Sequence, residues 1–181
     1  MKNLIICYIL VSIMLISCSD SQEKSKKEIS RWIGKELHLK DSSYLYRIKK
    51  NPSYNSIKAD RIKIVHYLNP MNCFNCLEDM KKWKNLMNEF DSCNVSFIFY
   101  IHIHDWKHIN RYFITWDIDL PVIIDKQNWF KTKNNLPENK FLHTFLIDKS
   151  NSIVLIGDPL KNEKLKNLYI QKCQDLSNYN H

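Results

Sequence analysis

One stretch constrains this chain more than any other. Arg61-Ile-Lys-Ile-Val-His-Tyr-Leu68 is rich in branched residues and reads as a strand. Asn69-Pro70-Met71-Asn72 breaks it, and an amphipathic run follows from Cys73 to Phe90. In that run Cys76, Met80, Trp83, Met87 and Phe90 recur at three- and four-residue steps, which predicts a helix with one buried face. The Cys73-Phe-Asn-Cys76 pair therefore falls at the junction of a strand and a helix, and an architecture must be found that presents such a junction.

The elements downstream narrow the choice to an α/β fold. Val95 to Ile103 is nearly continuous in apolar and aromatic residues, as expected of a central strand covered on both faces. Asp105 to Thr115 reads as a helix with Asp105 near its N-terminus, and Pro121 to Asp125 as a third strand. Thr144–Asp148 and Ile153–Ile156 form a predicted hairpin across Lys149-Ser-Asn-Ser152. Lys161 to Leu176 closes the chain as a helix, with Leu165, Leu168 and Tyr169 on one side. Trp32 to Asp60 is expected to hold short strands and loops. Strands alternating with helices, then a hairpin and a last helix, predict a central mixed sheet flanked by helices.

The N-terminus reads as a targeting segment. A short basic start, Met1-Lys2-Asn3, precedes an apolar run from Leu4 to Ile16. That run is short of the roughly 20 residues a bilayer span needs but suits a secretory signal. It ends in Leu15-Ile-Ser-Cys18, which resembles the bacterial lipobox. The resemblance implies a signal peptide over residues 1–17, lipidation of Cys18, and a polar tether over residues 18–30 leading to a domain over residues 31–181. Several acyl chains on one terminus give lasting attachment to a membrane, where a single chain binds only marginally. The expected location is thus the cell envelope, facing the periplasm or the outside.

Composition excludes other classes. The chain has 181 residues and only two glycines, Gly34 and Gly157, so no glycine-rich phosphate loop can be built. Its net charge is +8, but the lysines are spread along the chain and no nucleic-acid recognition motif accompanies them. Nucleic acid is not an expected partner.

The chemistry centres on Cys73 and Cys76. Unpaired amides and the positive end of the helix dipole stabilise an anion at a helix N-terminus. A thiol placed there has a lowered pKa, and the thiolate is the reactive form. Cys73 is expected to be the nucleophile and Cys76, one turn on, to resolve the mixed disulfide. Two other readings compete. Half of a zinc site would need a second close cysteine pair, whereas Cys93 and Cys173 stand apart in sequence. A purely structural disulfide across so short a loop would restrict the unfolded chain little.

Lys63 to Phe90, Pro121 to Asp125 and Thr144-Phe-Leu-Ile-Asp148 together resemble the thioredoxin-like superfamily, especially membrane-anchored thiol–disulfide oxidoreductases of the cytochrome-maturation type. Trp32-Ile-Gly-Lys-Glu36 and Ile156-Gly-Asp-Pro159 are also similar to thioredoxin-fold lipoproteins of Bacteroidetes-type bacteria. The resemblance implies a thioredoxin-like fold, Cys73 and Cys76 as the redox pair, no organic cofactor and no metal. It implies thiols or disulfides of exported proteins as substrates, with a separate electron donor.

The chain departs from that family in two places. The family's cis-proline, two residues before the Thr of the Thr-Phe-Leu-Ile-Asp strand, is replaced by Leu142, and Pro137 lies too far upstream. The family's buried acid, six residues before the first cysteine, is replaced by Tyr67, which leaves no carboxylate assigned as proton carrier. Pro70, Leu142 and His143 are the expected neighbours of the cysteines. Leu142 keeps a rival in view: a binding module of an envelope complex with little catalysis. His143 beside two thiolates would suit copper(I), although copper chaperones of related fold space their cysteines one residue wider. His102, His104 and His108 read as polar residues where a strand leaves the core, with metal binding or tuning of a thiolate as the alternative. Pro70 stands where a peroxiredoxin would have Thr, which disfavours that family. Cys93 and Cys173 are expected to be free buried thiols.

Overall fold

The structure, a computed structural model, describes residues 23–40, 45–46, 62–72, 76–93 and 95–178. The chain divides between Ile33 and Gly34 into two compact units. In the first, residues 23–30 are helical (α1). The helix falls within the segment read as a polar tether; that segment offers no apolar stripe, but Glu23, Lys24, Lys26, Lys27 and Glu28 are all good helix formers. Cys18 and the preceding segment lie outside the described residues.

The second unit is built on a mixed sheet. Its strands are β1 (Leu45–Tyr46), β2 (Ile62–Leu68), β3 (Val95–Ile101), β4 (Val122–Ile124), β5 (Thr144–Ile147) and β6 (Ile153–Ile156), in the order β1-β4-β3-β2-β5-β6. β2, β3 and β4 are mutually parallel; β1 runs antiparallel to β4, β5 to β2, and β6 to β5. The helices are α2 (Cys76–Asn88), α3 (Trp106–Thr115), α4 (Trp129–Asn134) and α5 (Glu163–Asn178). β3 ends at Ile101 rather than Ile103, and Asp105 caps α3 by accepting from the Lys107 N–H at 2.9 Å.

All seven residues of β2 are buried, and alternate side chains serve opposite faces of the sheet. Ile64 and Leu68 of β2, with Phe97, Phe99 and Ile101 of β3, join a core that also holds Met80, Trp83 and Met87 of α2 and Tyr169 and Cys173 of α5. On the other face Tyr67 and Tyr100 stack on Phe130 of α4, with centroids 6.1 and 4.0 Å away. Polar groups drawn into the sheet are satisfied. Lys63 Nζ donates to Asn151 Oδ1 at 3.2 Å, and His66 Nδ1 lies 2.8 Å from Thr144 Oγ1.

Two further readings are corrected. Of the stripe read on α5, Tyr169 is buried and Leu165 packs partly buried against the core, but Leu168 is 39% exposed, and Cys173, one turn after Tyr169, is buried as well. α4 was absent from the sequence reading. It is six residues long, and the side chain of Asp125, fully buried, secures its start by accepting from Trp129 N and Phe130 N at 2.9 and 2.7 Å.

Candidate functional site

Strand direction gathers the site at one edge of the sheet. β2 ends at Leu68; β5, antiparallel to it, begins there; β6, antiparallel to β5, ends there. The parallel strands β3 and β4 end at the same edge. Ligands collect outside the carboxyl ends of parallel strands for this reason. Here a cavity of about 510 Å³ opens, with walls from the end of β2, the start of α2, Asn128, the 131–143 segment and the turn after β6.

Cys76 is the first residue of α2, half-buried in the cavity wall, and is disulfide-bonded. Cys73 lies outside the described residues, as do Phe74 and Asn75. Pro70 opens a 3₁₀ turn, Pro70–Asn72, that carries the chain from β2 toward the cysteines. Met71 in that turn is 71% exposed, and Phe141, on the cavity wall, is 63% exposed.

Leu142 ends a second 3₁₀ turn, Lys140–Leu142, and is buried outside the cavity wall. The turn is closed by Leu142 N on Asn139 O (3.0 Å) and His143 N on Lys140 O (3.2 Å), and Asn139 Oδ1 accepts from Phe141 N (3.1 Å). No cis peptide bond occurs among the described residues. The segment thus enters β5 through a self-satisfied turn. His143 does face the cavity, with Nε2 2.7 Å from Pro137 O and its carbonyl accepting from Tyr67 N at 2.9 Å. Burial, mainly, lowers its pKa.

Sequence reasoning singled out Cys76 but not the acids that share its cavity. Asp79, one turn after Cys76, and Asp158, just past β6, both line the cavity. Burial works against ionisation of Asp79, but Lys161 and Lys82, hydrogen-bonded to it at 2.5 and 2.8 Å, outweigh that and hold its carboxyl low. Asp158 is raised, chiefly by burial, against the pull of the Leu160 N–H and Lys161. The spacing of Asp79 from Cys76 was visible on a helix. Asp158 required knowing that β6 lies beside β5.

His66, on the α2 side of β2, also reaches the cavity. Its ring lies 5.2 Å from that of Trp83, and burial, with His143 nearby, lowers its pKa to about 3. It is a neutral imidazole throughout the ordinary pH range. Tyr67 donates its hydroxyl to Asn128 Oδ1 at 2.6 Å, and burial raises its pKa to about 12.

His102 and His104 lie just past the end of β3. His102 Nδ1 lies 2.8 Å from Asp125 O, and the His102 and His104 rings are 5.4 Å apart. Neither lines the cavity, His108 lies on α3, and no group of three metal-binding side chains occurs among the described residues. Cys93 and Cys173 are free and buried. Burial raises the Cys173 thiol, and Cys93 is near enough to add to the effect.

No family model matches the chain, and no curated protein matches it. Solved structures do. The thioredoxin domain of a thiol–disulfide oxidoreductase from Bacteroides vulgatus superposes with a TM-score of 0.56 at 12% identity, covering 78% of this chain and 97% of that one. A thioredoxin-like protein in its oxidised form gives 0.55 at 14% identity, with 78% and 97% covered. A putative thiol:disulfide interchange protein DsbE from Chlorobium tepidum gives 0.53 at 11% identity, with 76% and 99% covered. The chain therefore has the α/β thioredoxin-like fold, a mixed sheet flanked by helices.

Proposed function

We propose that this thioredoxin-fold chain is a thiol–disulfide oxidoreductase working through Cys73 and Cys76, held in the cell envelope by lipid on Cys18. The observation that carries the reading is a disulfide-bonded cysteine, Cys76, at the first residue of a 13-residue helix and in the wall of an open cavity. The helix N-terminus favours thiolate over thiol, which makes a nearby disulfide easier to reduce and its thiols quicker to react. The fold is shared with proteins titled as oxidoreductases and interchange proteins, which supports the same reading.

In the reductive direction Cys73 thiolate attacks a substrate disulfide, and the mixed disulfide is resolved by Cys76. Two electrons pass from the protein dithiol to the substrate, and a separate donor restores the dithiol. No organic cofactor or metal takes part. Thiols and disulfides of exported proteins are the proposed substrates, and the exposed Met71 and Phe141 give them apolar surface to meet beside the cysteines.

Reduction of insulin by dithiothreitol tests the proposal. The chain should accelerate it, and Cys73→Ser or Cys76→Ser should remove about a hundredfold or more of that acceleration, since nucleophile and resolving thiol act as a unit. A chain that leaves the uncatalysed rate unchanged would instead fit the rival reading, a binding module. The direction of electron flow follows from the reduction potential: near about −270 mV for a reductase, near about −120 mV for an oxidant.

A further inference from the structure

We propose that the solvent-facing side of α1 rests against the headgroups of an anionic lipid bilayer, held there by charge once the chain is anchored. The proposal rests on the reading that Cys18 carries lipid and adds an electrostatic contact with the same membrane.

α1 has two unlike sides. Glu28 and Ile29 are half-buried, and Trp32, in the turn that follows, is 7% exposed. Lys24, Lys26, Lys27 and Arg31 are exposed, and none of them makes an ion pair among the described residues. Successive helix positions turn by about 100°. Lys24 and Lys27 are therefore neighbours, Arg31 follows one turn after Lys27, and Ile29 falls nearly opposite them. The side away from Ile29 is basic. Four cations against two acids, Glu23 and Glu28, leave residues 23–31 with a net charge of +2.

The place of α1 in the chain selects the partner. Lys24 follows Cys18 by six residues, and six residues span at most about 22 Å at full extension. A lipid on Cys18 thus keeps α1 within about three screening lengths of the bilayer, one being about 8 Å at physiological ionic strength. Each Lys or Arg that reaches an anionic surface strengthens attachment about fivefold. Free in solution, so few charges would hold weakly. Behind an anchor the contact is intramolecular and needs little affinity of its own. An acidic protein or a nucleic acid would have to be brought to these side chains, whereas lipid headgroups are already beside the anchor.

Lysine acetylation in reconstituted vesicles tests the contact. The lipidated chain is placed in vesicles of phosphatidylglycerol and phosphatidylcholine in equal parts, or of phosphatidylcholine alone. It is then treated with a membrane-impermeant acetylating reagent and mapped by mass spectrometry. Lys24, Lys26 and Lys27 should react about fivefold or more slowly in the anionic vesicles. Salt at about 1 M, which cuts the screening length to about 3 Å, should restore their rates. Lys24→Glu combined with Lys27→Glu should release Lys26 in the same way, and exposed positions of this kind tolerate such changes without loss of the fold. Equal rates in the two kinds of vesicle, or slow rates that persist in high salt or in the double variant, would overturn the contact and leave the anchor standing. A chain recovered from bacterial membranes with no acyl group on Cys18 would overturn both.

Discussion

At the scale of single residues, the site is defined by what its polar groups are bound to. The Tyr67 hydroxyl is tied to Asn128, and acidity enters the cavity from Asp79 and Asp158. His66 makes the residue scale measurable. It is buried and neutral, with a pKa of about 3 in the folded chain against 6.5 for an ordinary histidine. Between those values the unfolded chain binds a proton that the folded chain does not, so stability falls as pH drops from 6.5 toward 3. The slope from this group approaches about 1.4 kcal/mol per pH unit. Urea midpoints measured from pH 7 to pH 4 should fall accordingly, and His66→Asn should flatten the profile over that window. The place of Cys76 at the start of a helix was legible in the sequence because a strand, a break and an amphipathic run form a local pattern. The acids, and the nearness of Cys93 to Cys173, were not, since they depend on contacts between elements far apart in the chain.

At the scale of elements, periodicity worked where one face is buried and weakened where capping or a short element takes over. The stripe Met80, Trp83, Met87 and Phe90 is buried as read, and the hairpin of β5 and β6 falls within its expected bounds. α4 was missed because six residues carry too little pattern, and Asp125, whose side chain holds its start, lies four residues ahead of it, just past β4. On α5 Tyr169 is buried as read, but Leu168 beside it is not, because neighbouring positions of a helix lie about 100° apart and only one of the two can face the sheet. Gly157, just past β6, shows how tightly that packing is drawn. It has φ +125°, and a Cβ added there would lie 2.9 Å from Leu165 Cδ2. Its carbonyl also accepts from the buried Tyr169 hydroxyl at 2.9 Å. Gly157→Ala should therefore cost about 1–3 kcal/mol through backbone strain and crowding, read as a lower urea midpoint with unchanged slope. A loss within experimental error would contradict this account of the β6–α5 connection.

At the scale of the whole second unit, three parallel strands and two antiparallel neighbours bring their ends to one edge, so residues from 66 to 161 meet in one cavity beside Cys76. The fold class was legible from the alternation of strands and helices, and the superpositions agree with it. The strand order was not, because no pattern along the chain states which strand lies beside which. The central claim is that a sulfur at this edge is activated by its position. The most direct test is the rate of iodoacetamide alkylation of Cys73 in the reduced chain, followed from pH 4 to pH 10 by mass mapping. The account predicts a midpoint well below the value of about 8.5 for an ordinary thiol. A midpoint at or above that value would contradict it.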